Sequence, residues 1–375
     1  MVAARRARIL VAQPVLEPVG GGSAVCAWIL EALKAEHEVA LVALGRPDFA
    51  AVNRFFGTSL SEAEIRAHVA LPWLPPALRR QRALRRLKLW LFLAAVRRMR
   101  GYDLLISTEE ESDLGGRGIQ YLHFPRVPRL ADEPFLRKLY FRAIAAATAT
   151  SLDRMRANVT VVNSDWTGAA VRARHGLDTV TIRPPAAGPV IEVPWSERAV
   201  GFVCAGRFAP EKRFEHIIDI LAGVRARGHA VRLHIVGSPT WADYRSRILA
   251  LAAACADWVT VVEDLSRDEL AALFARNRYG IHGMRDEHYG MVVAEMVRAG
   301  AIVFVPRDGG QVEIVGDDRL TFDGRDEAVD KIVRVLEDPA LQESLRDRLV
   351  ARRADLGPER FVDEIRALVA RTLAR

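Results

Sequence analysis

The most constraining feature of the sequence is a regular alternation of short apolar runs and helical segments that starts at Val200. The apolar runs are VGFVCAG, VRLHIVG, VTVVED, YGIHGM and AIVFVP. Segments with helical periodicity lie between them, such as EKRFEHIIDILAGVRARG and YRSRILALAAACA. Parallel strands need a long crossover, usually a helix, and are buried on both faces. The alternation therefore predicts a doubly wound α/β domain.

The N-terminal half repeats this pattern less regularly. It predicts strands at RILVAQP, EVALVAL, YDLLIST, IQYLHFP, VTVVNS and TVTIRPP. The stretch RPPAAGPVIEVPWSER separates the two series, and its prolines disfavour both helix and central strand. We predict two Rossmann-like doubly wound domains, residues 1–193 and 194–357, that face each other across a cleft. Residues 358–375 are predicted to form a C-terminal helix that packs back towards the first domain.

Composition narrows the class of protein further. The chain has 375 residues, of which 50% are hydrophobic and 27% charged, and this suits two globular domains. Its three cysteines are far apart and lack CxxC spacing, which favours neither a disulfide framework nor a zinc site. The basic N-terminus lacks the apolar core of a signal peptide, and no window is apolar enough for a membrane span. We expect a cytoplasmic protein with reduced thiols.

The charge distribution indicates an anionic partner. The formal net charge is +7, and nine Lys or Arg residues lie between Arg79 and Arg100, interleaved with aromatic and aliphatic side chains. Such a mixture predicts an interfacial segment that holds the protein on the inner face of an anionic membrane. In the alternative, its apolar side packs on the first domain and the arginines are solvated. The apolar residues concerned are Leu84, Leu87, Leu91 and Val96. We expect no nucleic acid partner.

Two cations follow the first apolar run of the second domain. Ligands of open parallel sheets bind at the carboxyl ends of the strands, so residues just after each run are the candidates. Arg207 and Lys212 follow VGFVCAG and lie beside a predicted helix start. Free amides and the helix dipole would add to both charges, which makes this a suitable pyrophosphate site. The alternative is a surface Arg and Lys at a helix cap.

Two glutamates follow a later run. Glu287 comes after YGIHGM, and Glu295 lies eight positions further on, in a helix that is apolar almost all round. Gly290, between them, permits close approach of a backbone. Because Glu is almost never buried without a partner, Glu295 needs an explanation. It either accepts hydrogen bonds from sugar hydroxyls or forms a salt bridge to an Arg such as Arg298. The loop RDGGQVEIVG offers another Gly-rich helix start near the same edge.

The first domain has weaker signals. Gly20, Gly21 and Gly22 lie between a strand and a helix, but Val25 and the missing acid after the second strand depart from a dinucleotide fingerprint. His123 closes the run IQYLHFP and suits a structural role about as well as a catalytic one.

No two aspartates have D-x-D spacing, so we expect no metal ion and no other cofactor. Arg207 and Lys212 would neutralise the leaving phosphates instead.

Taken in order, GRFAPEK, EHYGMVVAE and DGGQVEIV resemble the retaining GT-B glycosyltransferases of family GT4. The pair Glu287 and Glu295 matches the E-x7-E motif of that family. The similarity spans the predicted second domain and extends upstream through GGG, YLHFP and VNSDWT. The segment IHGMRDEHYGMVVAEMVRAGAIVFVPRDGGQVEIV is especially similar to the Alg11-type mannosyltransferases of lipid-linked oligosaccharide assembly.

The resemblance implies roles for these residues. Arg207 and Lys212 would grip the diphosphate leaving group, and His123 would lie by the reacting centre. Glu287 would contact hydroxyls of the transferred sugar, and Glu295 would hold the ribose hydroxyls. Further donor-binding residues implied by the resemblance are Gly21, Gly22, His288, Tyr289, Gly290 and Met291. Tyr289 replaces the Phe that is more usual in the family.

The implied reaction is transfer of a hexose from a nucleotide sugar with retention of its α configuration. GDP-mannose is our first choice of donor, with mannose as the transferred sugar. The acceptor is a glycan or a lipid-linked molecule. The chain offers cations and amides for a leaving diphosphate and no obvious activated nucleophile, which fits front-face attack. Two alternatives stay open. One is a basic non-enzymatic adaptor that binds RNA or a membrane through residues 79–100, and the other is a GT-B enzyme of other chemistry, such as an epimerase or phosphorylase.

Overall fold

The structure is a computed structural model that describes residues 6–75, 85–127 and 133–374. The chain divides into two compact units. The first unit comprises Met1–Pro185 and Pro358–Arg375, and the second comprises Ala186–Gly357. Each unit is an α/β domain built on a parallel sheet, as the alternation of strands and helices predicted.

The two units divide after Pro185 rather than at residue 193. Arg298 donates hydrogen bonds to the backbone oxygens of Ala186 and Gly188 in the second unit. Arg353 forms an ion pair of 3.1 Å with Glu192. Because these contacts attach the Pro-rich stretch to the second unit, residues 186–193 belong with it.

The first unit contains a seven-stranded sheet within the described residues. The strands are β1 (Arg8–Ala12), β2 (Glu38–Ala43), β3 (Ile65–Val69), β4 (Leu104–Ser107), β5 (Ile119–Leu122), β6 (Val159–Val162) and β7 (Val180–Thr181). They are parallel and lie in the order β3-β2-β1-β4-β5-β6-β7. The helices are α1 (Gly21–Leu33), α2 (Phe49–Phe56), α3 (Arg85–Val96), α4 (Phe135–Ala147), α5 (Leu152–Arg156) and α6 (Asp165–His175).

Six of these strands coincide with the predicted apolar runs. Strand β3, with the sequence IRAHV, was not predicted. It pairs with β2 alone and lies at the edge of the sheet, where Arg66 and Ala67 are exposed. An edge strand does not need the continuous apolar run of a strand that is buried on both faces.

The second unit repeats the architecture with a six-stranded parallel sheet in its described part. The strands are β8 (Ala199–Arg207), β9 (Arg232–Ser238), β10 (Val259–Glu263), β11 (Asn277–Ile281), β12 (Ile302–Pro306) and β13 (Thr321–Phe322), in the order β10-β9-β8-β11-β12-β13. The helices are α7 (Phe214–Ala226), α8 (Ala242–Ala253), α9 (Arg267–Arg276), α10 (Met291–Arg298), α11 (Gln311–Val315), α12 (Arg325–Glu337) and α13 (Pro339–Ala351).

The last helix, α14 (Pro358–Leu373), belongs to the first unit although it follows the second in sequence. It packs on α1, and Arg366 Nε donates a hydrogen bond of 2.8 Å to the backbone oxygen of Ala32. Phe361, Ile365 and Leu368 are buried on this side of the helix. Their spacing is that of one helical face, which explains why the helix needs a neighbouring surface.

Helix α3 lies in the basic segment that was predicted to contact a membrane. Five of its apolar side chains are buried in a core cluster with Phe141 and Ile144 of α4. These five are Leu89, Trp90, Phe92, Leu93 and Val96. The five buried side chains of the described helix do not enter a membrane but pack on the first unit. The alternative therefore holds for Val96, while Leu87 and Leu91 are half-buried and Arg97 is paired with Asp113 rather than solvated. Residues 79–84 lie outside the described residues.

In the described ranges, no helix combines the length and the hydropathy that are required to cross a membrane.

Candidate active site

The candidate site of the second unit lies where the strand order reverses. Strands β8 and β11 are neighbours, and the chain continues from them towards opposite ends of the sheet. Open α/β sheets bind ligands in the crevice at such a switch point, outside the carboxyl ends of the strands. Arg207 is the last residue of β8, and Lys212 follows it in a short 3-10 turn. His282 and Glu287 follow β11, so cations and a carboxylate meet at this point.

Lys212, Glu287 and His282 form a connected cluster. Lys212 Nζ lies 2.8 Å from Glu287 Oε2, and His282 Nε2 lies 3.2 Å from the same oxygen. Lys212 Nζ also contacts Met284 Sδ at 3.3 Å. The side chains of Lys212 and Glu287 are only 15% and 16% exposed. Because both contacts of Glu287 involve Oε2, its other oxygen, Oε1, is left to accept a hydrogen bond from a ligand.

The environment fixes the charge state of this cluster. Burial opposes ionisation of Glu287, but the hydrogen bond with His282 and the charge of Lys212 outweigh it and hold the pKa of Glu287 well below its usual range. Burial lowers the pKa of His282. Glu287 is therefore an ionised acceptor at neutral pH, and His282 is a neutral imidazole whose Nε2–H donates to it. Such a carboxylate suits hydroxyl binding and charge stabilisation better than proton donation.

The backbone of Glu287 is held by the loop after β12. Gly310 donates an amide hydrogen bond of 2.8 Å to Glu287 O. Gly309 has a φ of +91°, and a Cβ on it would lie 2.5 Å from Glu287 O. The buried amide of Gln311 donates to Met284 O at 2.9 Å and to Asp308 O at 3.0 Å. These contacts tie the two loops together and fix the position of the carboxylate.

The start of α7 differs from the prediction. Helical structure was predicted from Glu211 and Lys212, but Arg213 has a φ of +50°, so the 3-10 turn and α7 are separate. Helix α7 begins at Phe214, whose amide donates to the hydroxyl of Tyr244 at 2.9 Å. The first amide of the helix is therefore already used. Any phosphate contact here has to come chiefly from the side chains that precede the helix.

Arg207 is the more exposed of the two predicted cations. Its side chain is 46% exposed and lies 3.2 Å from Glu211 Oε1. An exposed pair of this kind contributes little to stability, so Arg207 can exchange its partner for a ligand phosphate at small cost.

The residues between Glu287 and Glu295 open helix α10. Gly290 has a φ of +101° and precedes the first helical residue, Met291. Tyr289 is buried in the core, while His288 and Met291 are half-buried. The first amides of a helix have no acceptor within the helix, and its dipole favours an anion at that end. That backbone groups of these residues contact the donor stays a prediction.

Glu295 forms a salt bridge, but with a different arginine from the one suggested by the sequence. Arg267, the first residue of α9, lies 2.8 Å from Glu295 Oε1, and the Glu295 side chain is 9% exposed. Arg298 instead donates to the backbone oxygens of Ala186 and Gly188. Glu295 and Arg267 also line a pocket of about 300 Å³ that is open to solvent. Its other lining residues include Pro189, Leu270, Phe274 and Arg298.

The predicted residues of the first unit form their own cluster. His123, after β5, has its Nε2 3.1 Å from the backbone oxygen of Thr108, which follows β4. Gly22 lies beside it, since a Cβ on Gly22 would be 3.5 Å from His123 Nε2. Gly21 is the first residue of α1, and Gly20, with a φ of +79°, precedes it. The structure thus brings the Gly-rich turn and His123 together at one edge of this sheet.

Two residues of the second unit were missed by the sequence analysis. His282 stands directly after β11, so the rule that selected Glu287 also selects it. Arg267 lies within the capping box, between Ser266 and Glu269, and this signature of a helix start is readable in SRDE. Neither pairing, His282 with Glu287 or Arg267 with Glu295, follows from sequence spacing alone.

Across the described ranges, no group of three or more His, Cys, Asp or Glu side chains is arranged to hold a metal ion. The expectation of a metal-independent reaction remains a prediction.

Comparisons with known proteins match the part of the chain that contains this site. Residues 193–352 match the family model described as glycosyl transferases group 1. A mannosyltransferase of Mycobacterium tuberculosis, described as GDP-mannose-dependent alpha-(1-6)-phosphatidylinositol monomannoside mannosyltransferase, is 33% identical over 192 residues, which are 47% of each chain. A GDP-Man:Man(3)GlcNAc(2)-PP-Dol alpha-1,2-mannosyltransferase of Candida glabrata is 25% identical over 41% of this chain and 34% of its own. The chain thus spans less than half the length of these curated relatives.

Solved structures match over nearly the whole chain. The Anabaena protein HepE in complex with UDP has a TM-score of 0.69 and 18% identity, covering 98% of this chain and 99% of its own. Sucrose-phosphate synthase from Thermosynechococcus elongatus has a TM-score of 0.67 and 18% identity, covering 98% of this chain and 100% of its own. At these identities the likeness shows the fold.

The fold and the family match define the class of protein. The fold is of the GT-B class, and residues 193–352 match the glycosyl transferases group 1, in line with the resemblance carried by the motifs. Within that class, the curated relatives described above are mannosyltransferases that differ from each other in acceptor.

Proposed function

We propose that this protein transfers a hexose from a nucleotide sugar to a hydroxyl group of a glycan or lipid-linked acceptor, with retention of the α configuration. The observation that carries the proposal is the cluster of Lys212, Glu287 and His282 at the switch point of the second unit. It combines a cation for a leaving diphosphate with an ionised carboxylate that has one oxygen left for a sugar hydroxyl.

Lys212 stabilises the leaving group in this proposal. An ammonium group has three N–H donors, and the contacts with Glu287 and Met284 use two of them. The third donor is free to bind a phosphate oxygen, and Arg207 adds a second cation at the end of the same strand. Charge that develops on the diphosphate as the glycosidic bond breaks is then met by fixed positive groups.

Glu287 binds the sugar and does not serve as a nucleophile. Hydrogen bonds to Oε2 from His282 and from the ammonium group of Lys212 lower the basicity of the Glu287 carboxylate. The acceptor hydroxyl therefore attacks from the face that the diphosphate leaves, and a departing phosphate oxygen takes its proton. Glu295, which lines the neighbouring pocket, accepts the ribose hydroxyls after exchanging its contact with Arg267.

The proposed donor and acceptor are inferred from the curated relatives. GDP-mannose is our choice because the curated relatives are described as mannosyltransferases that use a GDP-linked donor. Their acceptors carry a phosphatidylinositol or a dolichol diphosphate, which supports a lipid-linked acceptor here. UDP is the nucleotide in the Anabaena structure, so UDP is the first competitor to test.

A ligand that binds only the native state raises its apparent stability, so thermal unfolding with GDP, UDP and ADP ranks the nucleotides. We expect the largest shift in unfolding temperature with GDP, and a larger shift with UDP or ADP would overturn the choice of base.

Transfer is then measured with the preferred sugar nucleotide and with lipid extracts as acceptor. The proton and one-bond carbon couplings of the product give its anomeric configuration. An inverted linkage would contradict a retaining reaction.

The same assay separates the alternative chemistries. An epimerase changes the sugar without a second sugar substrate, and a phosphorylase transfers the sugar to inorganic phosphate. A glycosyltransferase releases nucleotide rapidly only when an acceptor is present, apart from slow hydrolysis. Release of nucleotide that does not depend on an acceptor would therefore contradict the proposal.

A further inference from the structure

Helix α4 carries a long apolar face that the fold leaves exposed. Phe135 and Leu136 are 77% and 78% exposed, the largest values among the exposed large apolar residues of the described chain. Leu139 and Tyr140, one turn further on, are 55% and 42% exposed. Soluble proteins rarely leave contiguous apolar surface of this kind without a function. The face therefore needs an occupant.

These side chains share one side of the helix. At about 100° per residue, positions 135, 136, 139 and 140 fall within one angular sector. The exposed residues Ala143, Ala146 and Ala147 continue the same face towards the C-terminus of the helix. Phe141 and Ile144 are buried and lie on the opposite side, in the core cluster with α3. Helix α4 is thus anchored by one face and presents a second apolar face outwards.

Positive charge borders the exposed face. Arg137, Lys138 and Arg142 belong to α4, whose sequence FLRKLYFRAIAAA contains no acidic residue. Arg137 lies 3.1 Å from Glu133, and its side chain remains 61% exposed. Helix α3 packs against the opposite side of α4, where the guanidinium of Arg86 lies 4.9 Å from the centre of the buried Phe141 ring, so the cations that border the exposed face are those of α4. The stretch from residue 85 to residue 100 contains six Lys or Arg and no Asp or Glu.

We propose that the exposed face of α4 binds an anionic membrane surface. Phe135, Leu136, Leu139 and Tyr140 enter the boundary between headgroups and acyl chains, and the bordering cations contact anionic headgroups. A helix with an apolar face flanked by Lys and Arg is suited to lie in the plane of such an interface. The absence of acidic side chains from α4 and from residues 85–100 matches the negative potential of the lipid surface.

This surface replaces the one predicted from the sequence. The apolar side chains and the cations that contact the lipid come from α4, because the apolar side chains of α3 are buried and Arg86 lies against the buried Phe141. The proposal does not depend on the reaction. Lipid binding is measured without turnover, and nucleotide binding is a property of residues in the second unit.

The test is co-sedimentation of the full chain with vesicles of phosphatidylcholine, alone or mixed with phosphatidylglycerol, at low and high salt. We expect binding to the mixed vesicles that weakens with salt, because screening reduces attraction between exposed charges. The apolar variant Phe135→Ser with Leu136→Ser should lose more than about tenfold in partitioning. The charge variant Lys138→Gln with Arg142→Gln should lose about twenty-fold, since each cation near an anionic surface contributes about fivefold.

Matched controls lie on the second unit. Trp241→Ser with Val350→Ser removes two apolar side chains that are 51% and 48% exposed. Arg276→Gln with Arg334→Gln removes two exposed cations. Both controls should bind vesicles like the unmodified protein. Thermal unfolding of each variant checks that the fold is intact. We expect no loss of the fold, because all eight substituted side chains lie at least partly on the surface.

Three results would overturn the proposal. The first is binding that is equal on neutral and mixed vesicles or absent from both. The second is binding that falls as much in the controls as in the α4 variants. The third is a dimer in analytical ultracentrifugation that Phe135→Ser with Leu136→Ser converts to a monomer, since the face would then bind a second copy of the chain. Loss of vesicle binding with unchanged nucleotide affinity would leave the proposed reaction standing.

Discussion

The two units share one strand order but place different chemistry at the point where that order reverses. In the first unit, Gln13 follows β1 and Thr108 follows β4, and their side chains are joined by a hydrogen bond between neutral groups. In the second unit, Lys212 follows β8 and Glu287 follows β11, and they are joined as an ion pair. Equivalent strand ends thus hold a contact between neutral side chains in the first unit, where Gln13 also donates to Glu109 at 3.3 Å, and a lysine–glutamate ion pair in the second.

The difference separates what the sheet determines from what the side chains at the strand ends determine. The doubly wound sheet determines where a ligand meets the protein, and the side chains at the strand ends determine which ligand that is. A buried lysine and carboxylate are costly to desolvate unless they are paired, and Lys212 and Glu287 are paired at the sheet edge where open α/β sheets bind ligands. The family match covers residues 193–352, which is the unit that holds the ion pair.

Removal of the cation should have the largest effect on turnover. Lys212→Met keeps the length of the side chain but leaves Glu287 without its ion-pair partner. We expect kcat to fall by about a hundredfold to a thousandfold, because a fixed charge for the leaving group is lost. Lys331→Met is the matched control, since Lys331 forms a 2.8 Å ion pair with Glu327 in the same unit. Turnover near the unmodified level in Lys212→Met would show that the charged cluster is not the reacting site.

Displacement of the Glu287 backbone should have the next largest effect. In Gly309→Ala the new Cβ would lie 2.5 Å from Glu287 O, so the loop has to move. We expect kcat to fall by about a hundredfold, as a displacement of about 1 Å at a reacting group can cost that much. Gly228→Ala is the control for backbone strain, because its φ of +95° is similar and nothing lies within 4 Å of the added Cβ. Equal losses in both variants would contradict the positioning role of Gly309.

Removal of the neutral donor to Glu287 should have a smaller effect. His282→Leu deletes a hydrogen bond to a charged group and should lower kcat by about tenfold. His282→Gln can still donate and should recover part of that loss. Because burial lowers the pKa of His282, we expect no inflection from its protonation in the neutral range of the kcat profile. An inflection near neutral pH that disappears in His282→Leu would show that this histidine titrates during turnover.

Substitution of a buried carboxylate in the first unit should have the smallest effect on turnover. Asp113 is fully buried and holds two hydrogen bonds from Arg154, of 2.9 and 2.7 Å. Burial would raise its pKa, but the contacts with Arg154 and backbone amides outweigh it and lower the pKa of Asp113. Asp113→Asn should reduce the free energy of unfolding at neutral pH by about 2 kcal/mol, because hydrogen bonds to a buried charged group are weakened and Arg97, only 11% exposed, loses its ion-pair partner. Nucleotide affinity should not change.

The pH dependence of stability checks the same carboxylate. A lowered pKa stabilises the folded state above the pKa of the unfolded chain, and this contribution is lost as pH falls through the folded value. The unmodified protein should therefore lose more stability between neutral and acidic pH than Asp113→Asn does. Denaturant titrations at both pH values measure the difference. Altered nucleotide affinity in Asp113→Asn would contradict a purely structural role.

Much of the fold could be predicted because its signals are local. Most strands are continuous apolar runs, and eleven of the thirteen described strands were located from such runs. The exposed edge strand β3 and the two-residue strand β13 lack that signal and were missed. The positions of Lys212 and Glu287 also followed from local features, since each comes soon after an apolar run.

Long-range pairing could not be predicted from spacing. Arg298 is three positions from Glu295 on the same helix, but its guanidinium donates to backbone oxygens. Arg267 of α9 forms the salt bridge with Glu295 instead. The apolar residues of α3 have the composition of an interfacial segment, yet they are buried because Phe141 and Ile144 cover them. The partner residues lie about fifty positions later, beyond the reach of a local pattern.

The central claim is that a nucleoside diphosphate binds at the switch point of the second unit. Hydrogen–deuterium exchange with and without saturating GDP, or with UDP or ADP if either binds more tightly, tests it directly. We predict slower exchange in peptides that contain residues 206–214 and 282–292, and loss of that protection in Lys212→Met. Protection confined to the first unit, or protection at 206–214 and 282–292 that Lys212→Met leaves unchanged, would contradict the account.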